Sequence, residues 1–192
     1  FFFDDIRFGK WIVKELAPAE GFVANDTIFP IDVTTDGAVI EINAENRHIY
    51  GMVHTTKVDK DYPDNLLAGA IFEIYMDVDG NKEFNADVDT LVGEMVEYEP
   101  GLYELENLRY GGYFLYEKQA PVNYVKDDAY HYFAIVNDGE MVEVENEAGI
   151  GFINNHMVGN LKIVKSSSDG RVEGFSFRVT GENYDEVFKT DA

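Results

Sequence analysis

The hydrophobic rhythm of this chain has a period of two. Leu161-Lys162-Ile163-Val164-Lys165, Phe175-Ser176-Phe177-Arg178-Val179, Val142-Glu143-Val144 and Ile40-Glu41-Ile42 alternate apolar with polar residues, as strands with one buried face do. Turn signals separate such stretches: Asp36-Gly37, Asp79-Gly80-Asn81, Pro100-Gly101, Gly111-Gly112, Asp138-Gly139 and Asp169-Gly170. No helical pattern is long enough to stand alone, Ala44 to His48 being too short. The pattern predicts an all-β chain of short strands, arranged as an antiparallel β-sandwich.

Segments of the chain recur. Phe8 to Pro18 aligns with Tyr110 to Pro121 at an offset of 102 when Glu15 is laid on Glu117. Glu45 to Gly51 answers Ile153 to Gly159, and Val53 to Asp59 answers Leu161 to Ser167, both at an offset of 108. A unit of about 100 residues is a normal sandwich size. Residues 1–50 read as the C-terminal half of one repeat, 51–158 as a complete repeat and 159–192 as the N-terminal strands of the next, a window on a longer tandem array. The two ends are expected to be the least stable parts, each lacking strands to cover its apolar face.

Strand parity places three polar residues on the buried side. Tyr113 and Leu115 are followed on their face by Glu117, Val53 and Thr55 by Lys57, and Ile150 and Phe152 by Asn154. The partial repeats show Glu15 after Trp11 and Val13, Asn46 after Ile40, Ile42 and Ala44, and Lys165 after Leu161 and Ile163. A one-residue slip would exchange Asn154 for Asn155. Burying any of these side chains alone costs several kcal/mol by order of magnitude unless it is paired or neutralised. Two explanations stand. One is a Lys57 to Glu117 ion pair capped by an amide, or inward polar residues that discourage edge pairing. The other is chemical: a dry pocket drives lysine and glutamate toward neutrality, and a neutral amine is a nucleophile beside an acid that polarises the Asn154 carbonyl.

Charge and composition narrow the setting. The 192 residues carry 37 acids against 15 bases, a net charge of -22, which disfavours nucleic acid and anionic membrane surfaces. The 45% hydrophobic and 14% aromatic content is too rich for a disordered acidic tail. The absence of Cys removes disulfides, Cys-ligated zinc and thiol nucleophiles. No apolar run approaches a membrane span, and Phe1-Phe2-Phe3-Asp4-Asp5 lacks the basic start of a signal peptide.

The run Thr56-Lys57-Val58-Asp59, Leu67-Ala68-Gly69-Ala70-Ile71-Phe72-Glu73-Ile74, Gly101-Leu102-Tyr103-Glu104-Leu105-Glu106-Asn107-Leu108 and Gly112-Tyr113-Phe114-Leu115-Tyr116-Glu117-Lys118-Gln119-Ala120-Pro121 resembles the collagen-adhesin B-type, or SpaA-type pilin, repeat of Gram-positive surface proteins. The resemblance implies tandem prealbumin-like (Ig-like) β-sandwich repeats and a spontaneous intramolecular isopeptide bond. Its lysine, glutamate and asparagine fall on Lys57, Glu117 and Asn154, and their equivalents in the partial repeats on Glu15, Asn46 and Lys165. Val122-Asn123-Tyr124 departs from the family's Gly-Tyr after Ala-Pro, a change confined to a turn. The setting implied is extracellular, on a bacterial cell wall, with neighbouring repeats of the same polypeptide as partners and host protein or glycan as a further candidate.

Other residues offer weaker chemistry. Asp77, Asp79 and Asn81 lie in an acidic loop that resembles a calcium site; Lys82 stands where an EF-hand needs Gly and Val88 where it needs Glu. A solvated turn is the competing reading. His48, His54, His131 and His156 show no metal-like spacing, and Asn25-Asp26-Thr27 fits a glycosylation sequon. The expectation is a structural stalk or spacer of a surface adhesin or pilin, with no cofactor unless the loop takes calcium, and no turnover activity beyond one self-cross-link. A ligand-binding module and an accessory domain of a secreted enzyme are the alternatives.

Overall fold

The computed structural model describes residues 2–181 and 184–191. Phe1 and Ala192, the outermost residues of the two expected partial repeats, lie outside the described residues, as do Glu182 and Asn183. In chain order the strands are β1 (Gly9–Lys14), β2 (Ile28–Val33), β3 (Tyr50–Asp59), β4 (Ile71–Met76), β5 (Thr90–Glu94), β6 (Val96–Glu99) and β7 (Leu102–Arg109). They continue as β8 (Gly111–Gln119), β9 (Tyr124–Val125), β10 (Tyr130–Ile135), β11 (Met141–Glu143), β12 (Phe152–His156), β13 (Ser176–Gly181) and β14 (Tyr184–Lys189). No helix occurs among the described residues, and none is therefore long and apolar enough to cross a membrane. The fold is all-β.

Two sheets build the middle of the chain. One has the order β10-β8-β4-β5; the other runs β6-β7-β3-β12-β9, with β11 also on β3. β3 is the hub of the second sheet. It pairs antiparallel with β7 along one edge and, along the other, parallel first with β11 and then with β12. Alternate residues of both sheets supply one core, including Val53, Phe72, Ile74, Tyr103, Leu115 and Phe152. Phe72 packs edge-on against both Tyr103 and Phe152, at centroid distances of 5.1 and 5.0 Å, the geometry aromatic quadrupoles favour.

The described residues fall into two compact units, Phe1–Met157 and Val158–Ala192. Within the first, residues 2–49 contribute the hairpin β1-β2. They are tied to later turns by Arg47 on Asp138, at 2.7 and 2.5 Å, and by Tyr110 donating to Glu20 at 2.5 Å. The second unit contains the hairpin β13-β14. No described residue in 2–50 or 158–191 is buried; the buried core lies between β3 and β12.

Two expected strands do not form. Ile40-Glu41-Ile42 and Leu161–Lys165 are irregular. The counterpart of Leu161–Lys165 in the middle of the chain is β3, which takes hydrogen bonds along both edges. Among the described residues 158–191 the hairpin provides no such partner. Ile40–Ile42 leads into Ala44–His48, the counterpart of β12, and β12 is held by β3. Alternation prepares a strand, but an extended segment without a ladder leaves its backbone groups to water.

Leu115 is fully buried, whereas Leu16 is 98% exposed. Leu115→Ala should therefore cost about 2–5 kcal/mol, and Leu16→Ala no more than about 0.5 kcal/mol, read from denaturant unfolding followed by circular dichroism.

Candidate functional site

Lys57, Glu117 and Asn154 come together inside the sandwich. Lys57 sits near the end of β3, Glu117 on β8 of the opposing sheet, and Asn154 on β12. Lys57 and Glu117 are fully buried and Asn154 is 2% exposed, while Asn155 points to solvent. Of the residues that share a face with them, Tyr113, Leu115, Val53, Thr55 and Phe152 are buried; Ile150 remains 43% exposed.

Close backbone approach delivers these side chains. Lys57 N–H donates to the Gly101 carbonyl at 2.7 Å. Gly101 has φ +79°, and a Cβ there would lie 2.8 Å from the Leu66 Cβ. Gly151 enters β12 at φ +127°, where a Cβ would meet the Thr56 carbonyl oxygen at 2.7 Å. Glycine at both positions lets neighbouring chain segments close onto β3. β12 then runs in register with Phe152 beside Lys57 and Asn154 beside Asp59.

The polar contacts are incomplete. Lys57 Nζ donates to the Phe152 carbonyl at 2.8 Å, lies 3.8 Å from Glu117 Oε1 and sits 5.2 Å from the centre of the Phe152 ring. Glu117 Oε2 accepts from Asn154 Nδ2 at 2.9 Å and from the Asp127 backbone N–H at 2.7 Å. Glu117 Oε1 and Asn154 Oδ1 are buried with no hydrogen-bond partner. Burial pushes the Lys57 ammonium down to about 8, against the opposing pull of Glu117 and then of Asp127. An amine that readily loses its proton, a carboxyl group and a carboxamide with an unpartnered carbonyl oxygen thus share one dry pocket. Their chemistry suits nucleophilic attack assisted by an acid.

Part of this arrangement occurs a second time. Asn46 Nδ2 donates to Glu15 Oε2 at 2.9 Å and Oε1 at 3.1 Å, and the Asn25 backbone N–H donates to Glu15 Oε2 at 2.6 Å. These bonds from Asn25 and Asn46 hold the Glu15 carboxyl below its ordinary range. Glu15 and Asn46 are half-buried. Lys165, the equivalent of Lys57, lies in the second compact unit, with its Nζ 4.2 Å from the Phe175 ring centre.

The acidic loop has a different organisation. Asp77 accepts from the backbone of Gly80 and Lys82, and Asp89 from Val78 and Asn85. Asn81 binds Asp79 and caps Glu83. One ligand atom each from Asp77, Asp79 and Asp89 lie within 4.8 Å of one another, which adds Asp89 to the aspartates of this loop. The loop carries Phe84 onto the outer face of the four-stranded sheet, where it stacks on Tyr130 at 3.6 Å and meets Tyr75 edge-on at 5.2 Å.

Sequence periodicity missed the residues around the triad. Asp127 accepts from Asn146 at 2.8 Å and contacts His131 Nε2 at 3.0 Å. Burial raises its carboxyl, but the hydrogen bonds from Asn146, Ala129 and His131 prevail and hold it below the ordinary range. His131 packs edge-on to Phe152 at 5.0 Å. The other histidines also find local partners: His54 lies between Glu143 and Tyr98, His156 between Asp59 and Tyr124, and His48 against Phe22. The equal ten-residue spacings Glu15–Asn25 and Glu117–Asp127 were the available signal for Asp127.

Burial lets Lys57 hold its proton less tightly in the folded chain, at about 8, than at its ordinary 10.5, and an Asn154→Ala chain, which cannot form the amide, should keep the direction of that shift. Between these values the unfolded chain binds more protons, so stability should rise with pH across that window. Adding Lys57→Met should remove this slope in melting curves taken at successive pH values.

Comparisons relate the fold of this chain to known proteins. Among solved structures, the Bacillus anthracis TIE protein superposes with a TM-score of 0.69 and 22% identity over 96% of this chain and 33% of that one. A streptococcal ancillary pilin gives 0.38 and 25% over 80% and 43%, and BcpA, the major pilin subunit of Bacillus cereus, 0.42 and 24% over 56% and 29%. The chain thus spans between about a third and less than half of the length of each of these relatives. No curated protein matches the chain. The SpaA prealbumin-like fold domain matches residues 51–148, a span that includes Lys57 and Glu117 and ends six residues before Asn154. The chain belongs to the SpaA prealbumin-like fold domain family.

Proposed function

We propose that residues 51–158 form a self-cross-linking stalk unit of a Gram-positive cell-surface pilin or adhesin, and that 1–50 and 159–192 belong to the units on either side. The observation that carries this reading is the burial of Lys57, Glu117 and Asn154 in one pocket with the Asn154 carbonyl oxygen unpartnered. Family membership supports it.

The reaction joins Lys57 to Asn154. A proton passes from the Lys57 ammonium to Glu117, leaving a neutral amine and a carboxylic acid. Rotation of the Asn154 amide turns Oδ1 toward the acid, which donates a hydrogen bond to it and draws electron density from Cγ. The amine nitrogen attacks Cγ, Glu117 gives its proton to the departing nitrogen and takes one from the attacking nitrogen, and ammonia leaves with Glu117 protonated again. The new C–N bond replaces the old one, so atoms and charge balance with no oxidant or cofactor. The reaction occurs once per molecule. The product closes a loop of 97 residues; by analogy with a disulfide of similar span, it removes roughly 4–5 kcal/mol of freedom from the denatured chain.

The acidic loop takes a structural part in this reading. Asp77 and Asp89 already accept two backbone N–H groups each, and the loop's product is the placement of Phe84.

Intact mass should be lower than the sequence mass by one ammonia, and Lys57→Ala, Glu117→Ala and Asn154→Ala should each retain the full mass expected from their sequences. The reactive amine and acid hold the same single proton as the ion pair, so the rate should fall as pH rises through about 8 and the pair loses it. A rate that climbs through that value would mean attack without acid assistance. Millimolar calcium should leave the melting temperature unchanged; a calcium-dependent rise abolished by Asp79→Ala would make the loop a cation site.

A further inference from the structure

A second layer of side chains holds the acid and the carboxamide, and the bond-forming steps do not consume it. Asp127 aims its backbone N–H at Glu117 Oε2, at 2.7 Å, and its Oδ2 accepts from Asn146 Nδ2 at 2.8 Å. Asn146 also pairs with both backbone groups of Ile153: its Oδ1 accepts from Ile153 N–H at 2.7 Å and its Nδ2 donates to the Ile153 carbonyl at 3.0 Å. Ile153 immediately precedes Asn154. The contacts make a ring from Glu117 through Asp127, Asn146 and the β12 backbone to Asn154, closed by the 2.9 Å bond from Asn154 to Glu117.

The N-terminal copy reaches the same end by another route. Asn25 stands ten residues after Glu15, as Asp127 stands ten after Glu117. Its N–H donates to Glu15, and its Oδ1 accepts from Thr27 N–H at 2.9 Å, as Asp127 Oδ1 accepts from Ala129 N–H at 2.9 Å. Asn25 Nδ2 then spans directly to the Glu45 carbonyl at 2.9 Å, beside Asn46. The position related to Asn146 by the offset that links Asn154 to Asn46 is Ala38. Thus an amide alone bridges the acid and the Glu45 backbone in one copy, while a carboxylate needs a second amide to reach β12 in the other. A carboxylate cannot donate to a carbonyl, so Asp127 requires Asn146 as intermediary. The Asn25 amide also has an internal task, despite its fit to a glycosylation sequon.

We propose that Asp127 and Asn146 are positioning residues for amide formation, a brace that sets the separation of the Glu117 carboxyl and the Asn154 carboxamide. This rests on the reading that Lys57 and Asn154 join. Neither side chain touches the reacting amine or carbonyl; the brace acts through Glu117 and the β12 backbone. Misplacement by about 1 Å costs on the order of 100-fold in rate for oriented reactions.

The test is a time course of intact mass on the full chain made by cell-free synthesis, with folding followed by circular dichroism. Asn146→Ala is expected to fold and to lose ammonia about 10- to 100-fold more slowly. Adding Asp127→Asn to it transplants the Asn25–Ala38 arrangement and should return the rate toward that of the parent. The isosteric variant Asn146→Asp, which keeps the volume should the alanine variant fail to fold, loses the donor and sets two carboxylates together. It should be slow, and Asp127→Asn should rescue it by restoring a donor. Parent-like rates in the Asn146 variants, or slow rates that Asp127→Asn does not recover, overturn the brace. A parent chain that folds without losing ammonia overturns instead the cross-link on which the brace depends.

Discussion

An ammonium group fully removed from water is the constraint around which the middle of this chain is organised. Lys57 has only one close hydrogen-bond acceptor, the Phe152 carbonyl, and a carboxylate oxygen 3.8 Å away. Desolvation of such an ion is offset only by good pairing geometry and saturated hydrogen bonds, and here two acceptors in the same pocket are left over. In the proposed amide the nitrogen carries no charge, and the carbonyl oxygen gains the Glu117 hydroxyl as donor. The polar deficit of the unlinked state and the direction of the chemistry then have the same origin. Apolar residues at the three positions would have made a quieter core, with no means of joining β3 to β12.

That junction matters because of how the two strands meet. β3 and β12 are parallel and in register over three residue pairs, Phe152 with Lys57, Ile153 with Val58 and Asn154 with Asp59. Tension applied at the start of β3 and the end of β12 would load this short ladder in shear. A handful of hydrogen bonds, each contributing about 1 kcal/mol net, is little protection over such a length. The proposed covalent bond lies at the same point, bridging the strands where the ladder begins. If the proposed neighbouring units pull in series, load would pass through it and leave the rest of the core unstressed.

Much of this was legible as strand parity. The faces of β3, β8 and β12 place Lys57, Glu117 and Asn154 inward because side chains alternate strictly along a strand, and parity also favours Asn154 over Asn155. The same rule overreached at Ile40–Ile42 and Leu161–Lys165, because alternation encodes a face and not the partner that must complete the ladder. Ile150 stands just before β12, where the period no longer applies, and remains exposed. Loop side chains escaped for a related reason. Asp127, Asn146 and Asp89 act through turns and long-range backbone hydrogen bonds, which leave no periodic trace. In the acidic loop the loop's own N–H groups donate to Asp77, Asp79 and Asp89, pairings that composition alone does not reveal.

The comparison between the two copies separates what is local from what is not. Asn46 meets Glu15 at 2.9 Å, as Asn154 meets Glu117 at 2.9 Å. The acid–carboxamide contact therefore recurs wherever this glutamate and asparagine pattern recurs in the chain. It follows from the turn ten residues beyond each glutamate and from the bond reaching the residue before each asparagine. The amine is the long-range component: Lys57 is separated from Asn154 by nearly the whole unit and reaches the pocket only when β3 inserts beside β7 and β12. Loop closure makes such non-local pairing the slower event. The economical order is then for acid and carboxamide to be pre-set, with the lysine strand arriving last into a pocket whose remaining geometry is fixed. This order keeps the reactive amine solvated, charged and unreactive until the correct sandwich has formed around it.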